Sequence, residues 1–507
     1  MKTLLMFRDR DFDLKQELLW NQSELTQDLE LGTLLQAMAK DDKFLLDVVR
    51  ISLLSGLQND LDTILYRQRA LQDCLNNPEA IRGLYQIAVE TIEESKRHWF
   101  GVFTRYPTSI LYESVDLLQM FVSRLKKLRE FSEVKGGQFR SEAFQILFGM
   151  MRRELDDQYL AILENHLKEL QFRKGVLLSA ELSEGNIGVN YILRQSSSGN
   201  HPQKRRWPEW LRRLFNQPAS AFTFRLNDRD EMGARILSDM RNSGSNLVAN
   251  ALAQSANHVL NFFETLRAES AFYVGCLNLY DRLVSLGEPV CFPRPLSIGE
   301  RKHHFQGLYD PCLSLIKGSQ VVGNTVDADS KSLVVITGAN QGGKSIFLRS
   351  IGLAQMMMQC GMFVAAESFS AELFSGLFTH YKREEDATMK FGKLDEELAR
   401  ISDMAEHLAP NSLLLCNESF AATNEREGSE IARQIVSALM EKQVKIFFVT
   451  HLYEFANVLS ERKTENVMFL RAERKEDGTR TYRVGEGQPL ETSYGPDLYE
   501  RIFQADQ

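Results

Sequence analysis

Cysteine is scarce in this chain and never closely paired: Cys74, Cys276, Cys291, Cys312, Cys360 and Cys416 are scattered with no CxxC among them. That pattern reads as free thiols in a reducing compartment and excludes a disulfide framework or a cysteine zinc site. Long apolar runs are missing too, so nothing here is expected to span or anchor in a membrane. The first residues, MKTLLMFRDRDFD, turn acidic at once and do not resemble a secretory signal. Excess positive charge is absent: 60 Lys and Arg stand against 68 Asp and Glu, a net of −8. This excludes a uniformly basic nucleic-acid coat, although an acidic surface can mask a local basic patch. Neither an internal repeat nor a low-complexity tract is visible. What remains is ordinary globular composition over 507 residues, too long for one core. Roughly two to four domains of a cytoplasmic protein are expected.

The N-terminal third is dominated by helical periodicity. Leu45, Val48, Val49, Ile51, Leu53 and Leu54 begin one apolar stripe, and Ile64, Leu65, Leu71 and Leu75 continue it in a neighbouring helix. Asn76-Asn77-Pro78 marks the break after that helix. Residues 141–174 have few breakers, which predicts one long amphipathic helix of roughly 50 Å at 1.5 Å per residue. The pattern then changes to strands at residues 176–182 and 187–193 around a Ser-Glu-Gly-Asn turn, with a third strand expected at residues 221–226. Helix resumes near Asp228 and runs to about Leu286. The expected architecture is a helical core and lever domain over residues 1–287, with a small β tip at 176–226. The Pro-rich EPVCFPRPL marks a boundary, and residues 288–507 alternate strand and helix signals as an α/β nucleotide-binding domain does.

The strongest motif lies in that last part. Gly338-Ala339-Asn340-Gln341-Gly342-Gly343-Lys344-Ser345 fits GxxxxGK[ST], follows the apolar run Leu333-Val334-Val335-Ile336-Thr337 and opens a helix. Glycines let backbone N–H groups curl around phosphates, and the helix N-terminus adds partial positive charge. Lys344 is the expected bridge between β- and γ-phosphates, and the Ser345 hydroxyl the expected ligand of Mg²⁺. The bland alternative is a glycine turn that meets the pattern by accident. A second apolar run, Ser412-Leu413-Leu414-Leu415-Cys416, ends in Asn417-Glu418. Glu418 is the candidate general base for the attacking water, against a merely solvated strand end. Asn417 stands where an Asp usually holds the Mg²⁺ shell; its amide oxygen can accept from a metal-bound water but brings no negative charge. A third run, Val444-Lys445-Ile446-Phe447-Phe448-Val449, ends in Thr450-His451, which places His451 either as a sensor beside the γ-phosphate or as an ordinary polar strand end. ATP and Mg²⁺ are the implied ligands.

These residues resemble a known family. Residues 338–349, with Phe347-Leu348-Arg349 after the glycine loop, look like the GxNxGGKSxFLR signature of the MutS family of DNA mismatch repair ATPases. Thr450-His451 matches that family's Thr-His switch, and Ser493-Tyr494-Gly495 its Ser-Tyr-Gly element. Tyr309-Asp310-Pro311 sits where a His-Pro pair is usual, and residues 60–79 are similar to the core segment. The resemblance implies a helical core and lever reaching toward DNA and an ABC-type P-loop ATPase that forms a homodimer with composite sites. Residues 390–397 (KFGKLDEE) lie where the family has its Ser-containing trans segment, leaving Lys393 as the substitute contact to the partner's γ-phosphate. Residues 421–428 occupy the interface loop with an unusual sequence. Other departures bear on function. The core-like segment begins by about residue 40, so neither a mismatch-recognition nor a connector domain is expected ahead of it. Phe131-Ser132-Glu133 and Phe262-Phe263-Glu264 are assigned to packing rather than to a mismatch wedge. No nuclease-like extension is expected, and the terminal helix-turn-helix is expected to be cut short after Phe503.

One insertion stands apart. Lys204, Arg205, Arg206, Arg212 and Arg213 interleave with Trp207 and Trp210 at the expected lever tip. Such a cluster can neutralise backbone phosphates and stack on bases, or form a solvated loop with locally packed indoles. Two functions are therefore expected to compete: an ATP-hydrolysing, DNA-binding dimeric clamp that recognises branched or repair intermediates, and a regulatory nucleotide-binding scaffold with little turnover.

Overall fold

A computed structural model describes residues 1–55, 57–98, 106–172, 176–184, 188–194, 230–339, 341–383, 392–475 and 479–490. The expected strand at 221–226, the basic insertion with its seven candidate residues, Asn340, Lys390, Phe391 and the Ser-Tyr-Gly element lie outside the described residues.

The chain opens with helices α1 (Gln22–Asp28), α2 (Leu31–Ala39), α3 (Lys43–Leu54) and α4 (Leu61–Asn76). Next come α5 (Pro78–His98), α6 (Pro107–Lys135), α7 (Glu142–Glu154) and α8 (Asp157–Leu170), then the hairpin β1 (Leu177–Leu182) and β2 (Gly188–Arg194), and the 55-residue helix α9 (Glu231–Ser285). Mixed α/β structure follows: β3 (Arg294–Leu296), β4 (His303–Leu308), α10 (Pro311–Lys317), β5 (Asn324–Asp327), β6 (Leu333–Gly338), α11 (Lys344–Gln359), β7 (Ser368–Glu372), β8 (Leu377–Tyr381) and α12 (Lys393–His407). The described chain ends with β9 (Leu413–Asn417), α13 (Glu425–Glu441), β10 (Lys445–Val449), α14 (Tyr453–Glu461), β11 (Val467–Arg474) and β12 (Arg480–Glu486). No helix among the described residues is long and apolar enough to cross a membrane.

Two compact units form. One holds Met1, Gln86–Glu133 and Met150–Glu264; the other holds Lys2–Tyr85, Val134–Gly149 and Thr265–Gln507. In the first, the Phe-x-Glu phenylalanine Phe262 is 3% exposed and packs edge-on against Phe263, a core role as expected. The single long helix expected over 141–174 is instead two, α7 and α8. The break is held by side chains. Asp156 is extended, with φ −70° and ψ 159°, and its carboxylate caps α8 by accepting from Tyr159 N at 2.6 Å. Arg129 donates to the Leu155 carbonyl and pairs with Asp157 at 2.6 Å.

In the second unit the N-terminal residues carry no regular structure, yet Thr3, Leu5, Met6, Phe7 and Phe12 are buried, so backbone groups there need partners. Glu269 on α9 accepts from Leu5 N at 2.7 Å and Phe12 N at 2.8 Å. Tyr273, one turn on, donates to Leu5 O; Tyr66 and Arg67 of α4 donate to Leu4 O and Met6 O. Removing the Glu269 carboxyl orphans two buried N–H groups, and Glu269→Ala is expected to cost about 2–4 kcal/mol in urea unfolding. Burial, opposed by those hydrogen bonds, raises this carboxyl to about 7 from an ordinary 4.5. The folded state therefore holds the proton more tightly than the unfolded chain. Stability from this group is complete below pH 4.5 and falls by about 3 kcal/mol as pH rises through 7. Glu269→Gln should flatten that segment of the stability–pH curve; an unchanged slope would contradict the assignment.

The unit's main sheet has six strands in the order β12-β11-β6-β10-β9-β8. All neighbours are parallel except the edge strand β12. Strands β6, β9 and β10 read as unbroken apolar runs because helices cover both faces of a parallel sheet. From β6 the chain crosses to the far edge at β8, returns inward through β9 and β10, then jumps to β11 on the other side. The C-terminal end of β6 is thus a switch point, where such sheets leave a crevice. A four-stranded sheet, β3-β7-β4-β5, belongs to the same unit. All six cysteines are free.

Candidate functional site

The glycines at the end of β6 and the start of α11 hold backbone that glycine adopts most easily. Gly338 and Gly343 hold φ of +111° and +89°. A Cβ on Gly338 would stand 2.9 Å from Ala472 N of β11, and one on Gly342 would stand 2.8 Å from Ala339 O. Gly343 is the N-cap of α11, so the free N–H groups of that helix open at the loop. Lys344 is buried, and its ammonium donates to the carbonyls of Gly338 at 2.9 Å and Ala339 at 3.0 Å. Burial lowers its pKa, with the negative charge of Glu418 opposing and Arg480 adding to the shift.

Across the loop stand the ends of β9 and β10. Val449 of β10 is in register with both Ile336 of β6 and Asn417 of β9, which brings the three strand ends together. The Ser345 hydroxyl donates to Asn417 Oδ1 at 2.9 Å. Glu418 follows at φ +55°, its N–H donating to Val449 O at 2.8 Å. Thr450 is buried and its hydroxyl caps the next turn by accepting from Leu452 N at 3.0 Å. His451 is exposed at the same sheet edge and does not line the cleft described next.

A cleft of about 680 Å³ opens over the loop, within the size range of small-molecule sites. Gln341, Gly342, Gly343, Lys344, Ser345 and Glu418 form its polar floor. Leu308, Tyr309, Val321, Val322, Phe347 and Tyr482 form an apolar wall. Of these wall residues only Tyr309 and Phe347 fell within motifs visible in the sequence, and neither was assigned to the site. Tyr482 reaches it because β12 folds back on β11, setting the Tyr482 backbone about 3.7 Å from where a Gly343 Cβ would lie. Arg480, on the same strand, donates to Gln341 Oε1 at 3.1 Å. Nothing local in the alternating RTYRV stretch announces these contacts.

The Arg349 of the Phe-Leu-Arg run does not itself line the cleft, although its partner Asp310 does. It pairs with Asp310 and with Glu30 of the α1–α2 turn. Asp310 in turn caps α10 by accepting from Leu313 N at 3.0 Å. The Tyr-Asp-Pro and Phe-Leu-Arg motifs are therefore joined by one buried ion pair, which fixes the cleft's wall to the helix behind its floor.

The profile of the MutS2 N-terminal domain matches residues 59–286, and that of MutS domain V matches residues 334–503. The DNA mismatch repair protein MutS of Streptococcus mutans is 27% identical over 260 residues, covering 48% of this chain and 30% of that protein. Its Listeria innocua counterpart is 25% identical over 272 residues, 52% of this chain and 31% of its own length. Endonuclease MutS2 of Thermus thermophilus is 29% identical over 180 residues, 35% of this chain and 23% of its own length. The chain thus spans less than a third of the length of these curated relatives. With the two profiles on its helical and α/β parts and both kinds of relative aligned, the chain belongs to the MutS family.

Proposed function

We propose that this protein is an ATP-hydrolysing, DNA-binding clamp that works as a homodimer through its ATPase domain and reads DNA structure rather than mismatches. The observation that carries the reading is the glycine loop at the central strand end, with Lys344, Ser345 and Glu418 lining one cleft and Asn417 hydrogen-bonded to Ser345. In this reading residues 288–507 are the P-loop ATPase and residues 1–287 the core and lever. The backbone of residues 338–343, Asn340 included, and the α11 N-terminus cradle the phosphates. Lys344 exchanges its loop carbonyls for the β- and γ-phosphates, which return the counter-charge that burial denies it. The apolar wall, with Tyr309 and Tyr482, takes the base. Ser345 Oγ and Asn417 Oδ1, 2.9 Å apart, suit a hard cation such as Mg²⁺. Bound there, the ion would neutralise developing charge on the phosphates. Glu418 orients and deprotonates water, and His451 senses the outcome from the neighbouring strand end. Lys393 serves the partner's site, and Lys204, Arg205, Arg206, Trp207, Trp210, Arg212 and Arg213 meet DNA.

Asn417 favours a second reading, a nucleotide-gated scaffold with little turnover, since both candidate ion ligands are neutral. Steady-state hydrolysis with and without four-way DNA separates the two, with Glu418→Ala as baseline. The clamp reading expects turnover above that baseline and stimulation by branched DNA. It also expects binding to four-way DNA that weakens steeply with salt and with charge reversal at Lys204, Arg205 and Arg206. No affinity for duplex, single-stranded or four-way DNA at low salt would remove it.

A further inference from the structure

We infer that Glu397 and His380 are positioning residues for Glu418, acting through the loop that follows β9; this rests on the hydrolytic reading above. Glu418 and Phe420 hold φ of +55° and +64°. Non-glycine residues keep such backbone only where their surroundings over-determine it. Here the surroundings come from β8 and α12. The Phe420 N–H donates to a Glu397 carboxylate oxygen at 2.9 Å, and Glu397 is 4% exposed. The Phe420 ring is buried and stacks on His380 with centroids 5.6 Å apart. Ser419, between the two strained residues, sets its hydroxyl 2.7 Å from His380 Nδ1 and 2.8 Å from the His380 carbonyl. His380 Nε2 lies 3.3 Å from the Glu397 carbonyl. A carbonyl only accepts, so Nε2 carries the ring's proton toward Glu397, and the one Ser419 hydroxyl proton is shared between two acceptors, the His380 carbonyl and Nδ1, which leaves the ring neutral. Burial agrees, pushing His380 down to about 3.

Glu418 is thus pinned on one side by its N–H to Val449 and on the other by the Ser419–Phe420 clamp. None of Glu397, His380, Ser419 and Phe420 lines the cleft. Loosening the clamp therefore displaces the base while leaving the phosphate contacts intact. Glu397 also sits just beyond the first turn of α12, the helix that begins at Lys393. A second copy of the chain engaging Lys393 would pull on Phe420 N through one side chain, which couples dimer contact to the base.

The test compares Glu397→Ala, Glu397→Gln and Ser419→Ala in the full-length chain. Glu397→Ala is expected to lower kcat roughly 10- to 100-fold, with KM and fluorescent ATP-analogue affinity within about twofold. Amide exchange at Phe420 should accelerate about tenfold or more. Glu397→Gln keeps an acceptor oxygen and should restore both to within about threefold. Ser419→Ala, which removes only a hydroxyl, should lower kcat roughly 3- to 10-fold at constant KM. Unchanged kcat and exchange in the alanine variants, or equal losses in Glu397→Gln and Glu397→Ala, overturns the inference and leaves the hydrolytic reading standing. Turnover by the unsubstituted protein no higher than that of Glu418→Gln overturns that reading, and the inference with it.

Discussion

Glu418→Gln is expected to reduce ATP turnover by roughly 10²- to 10⁴-fold while nucleotide affinity stays within a few-fold of the original. The substitution keeps side-chain length and leaves the Glu418 N–H bond to Val449 untouched, so the strained backbone should persist. What disappears is the proton acceptor above the glycine loop. One electrostatic side effect follows. Glu418 opposes the burial that lowers the Lys344 pKa, so removing its charge should push that pKa lower still. Bound phosphates supply far more negative charge, so the loss should be visible only without nucleotide. Single-turnover hydrolysis and equilibrium binding of a fluorescent analogue measure the two halves of this expectation. A variant that hydrolyses at the original rate would remove Glu418 from the mechanism. A variant that cannot bind would mean that Glu418 holds the loop rather than activates water.

Arg349→Met should cost about 3–5 kcal/mol in stability at pH 7, because it strands a buried carboxylate. The Arg349 side chain is 7% exposed and that of Asp310 is fully buried, so the pair is shielded from solvent. Burial raises the Asp310 pKa, and Arg349 is the main influence pulling it back. Without the guanidinium that pKa climbs further, and folding must either charge a dry carboxyl or protonate it. The penalty should therefore be greatest at neutral pH and shrink as pH is lowered and Asp310 takes up its proton. The Glu30 contact adds little, since that carboxylate is about half exposed. Urea midpoints at several pH values test this, and Asp310→Asn combined with Arg349→Met should recover much of the loss. A pH-independent penalty would point to lost packing of the arginine stem instead.

Much of the fold was legible because it is encoded over short distances. Buried parallel strands carry continuous apolar runs, so β6, β9 and β10 announced themselves, and Asn76-Asn77-Pro78 ended α4 where an N–H donor and the α region are lost together. The 55-residue helix α9 was visible from its lack of breakers. The break between α7 and α8 was not, because Asp156 is unremarkable in a helical pattern until Arg129 arrives to hold both sides of it.

The sequence by itself determined the glycine loop, the acceptors at the ends of the apolar strands and the family, since each depends on residue types at fixed local spacing. Only the tertiary structure decided what surrounds them. It placed Tyr482 and Arg480 over a loop some 140 residues earlier in the chain. It joined Arg349 to Asp310 and Glu30, and it set Glu397 and His380 behind Glu418. Those contacts arise from strand order and helix packing, and a buried charge or a strained φ acquires its meaning only from the partner that compensates it.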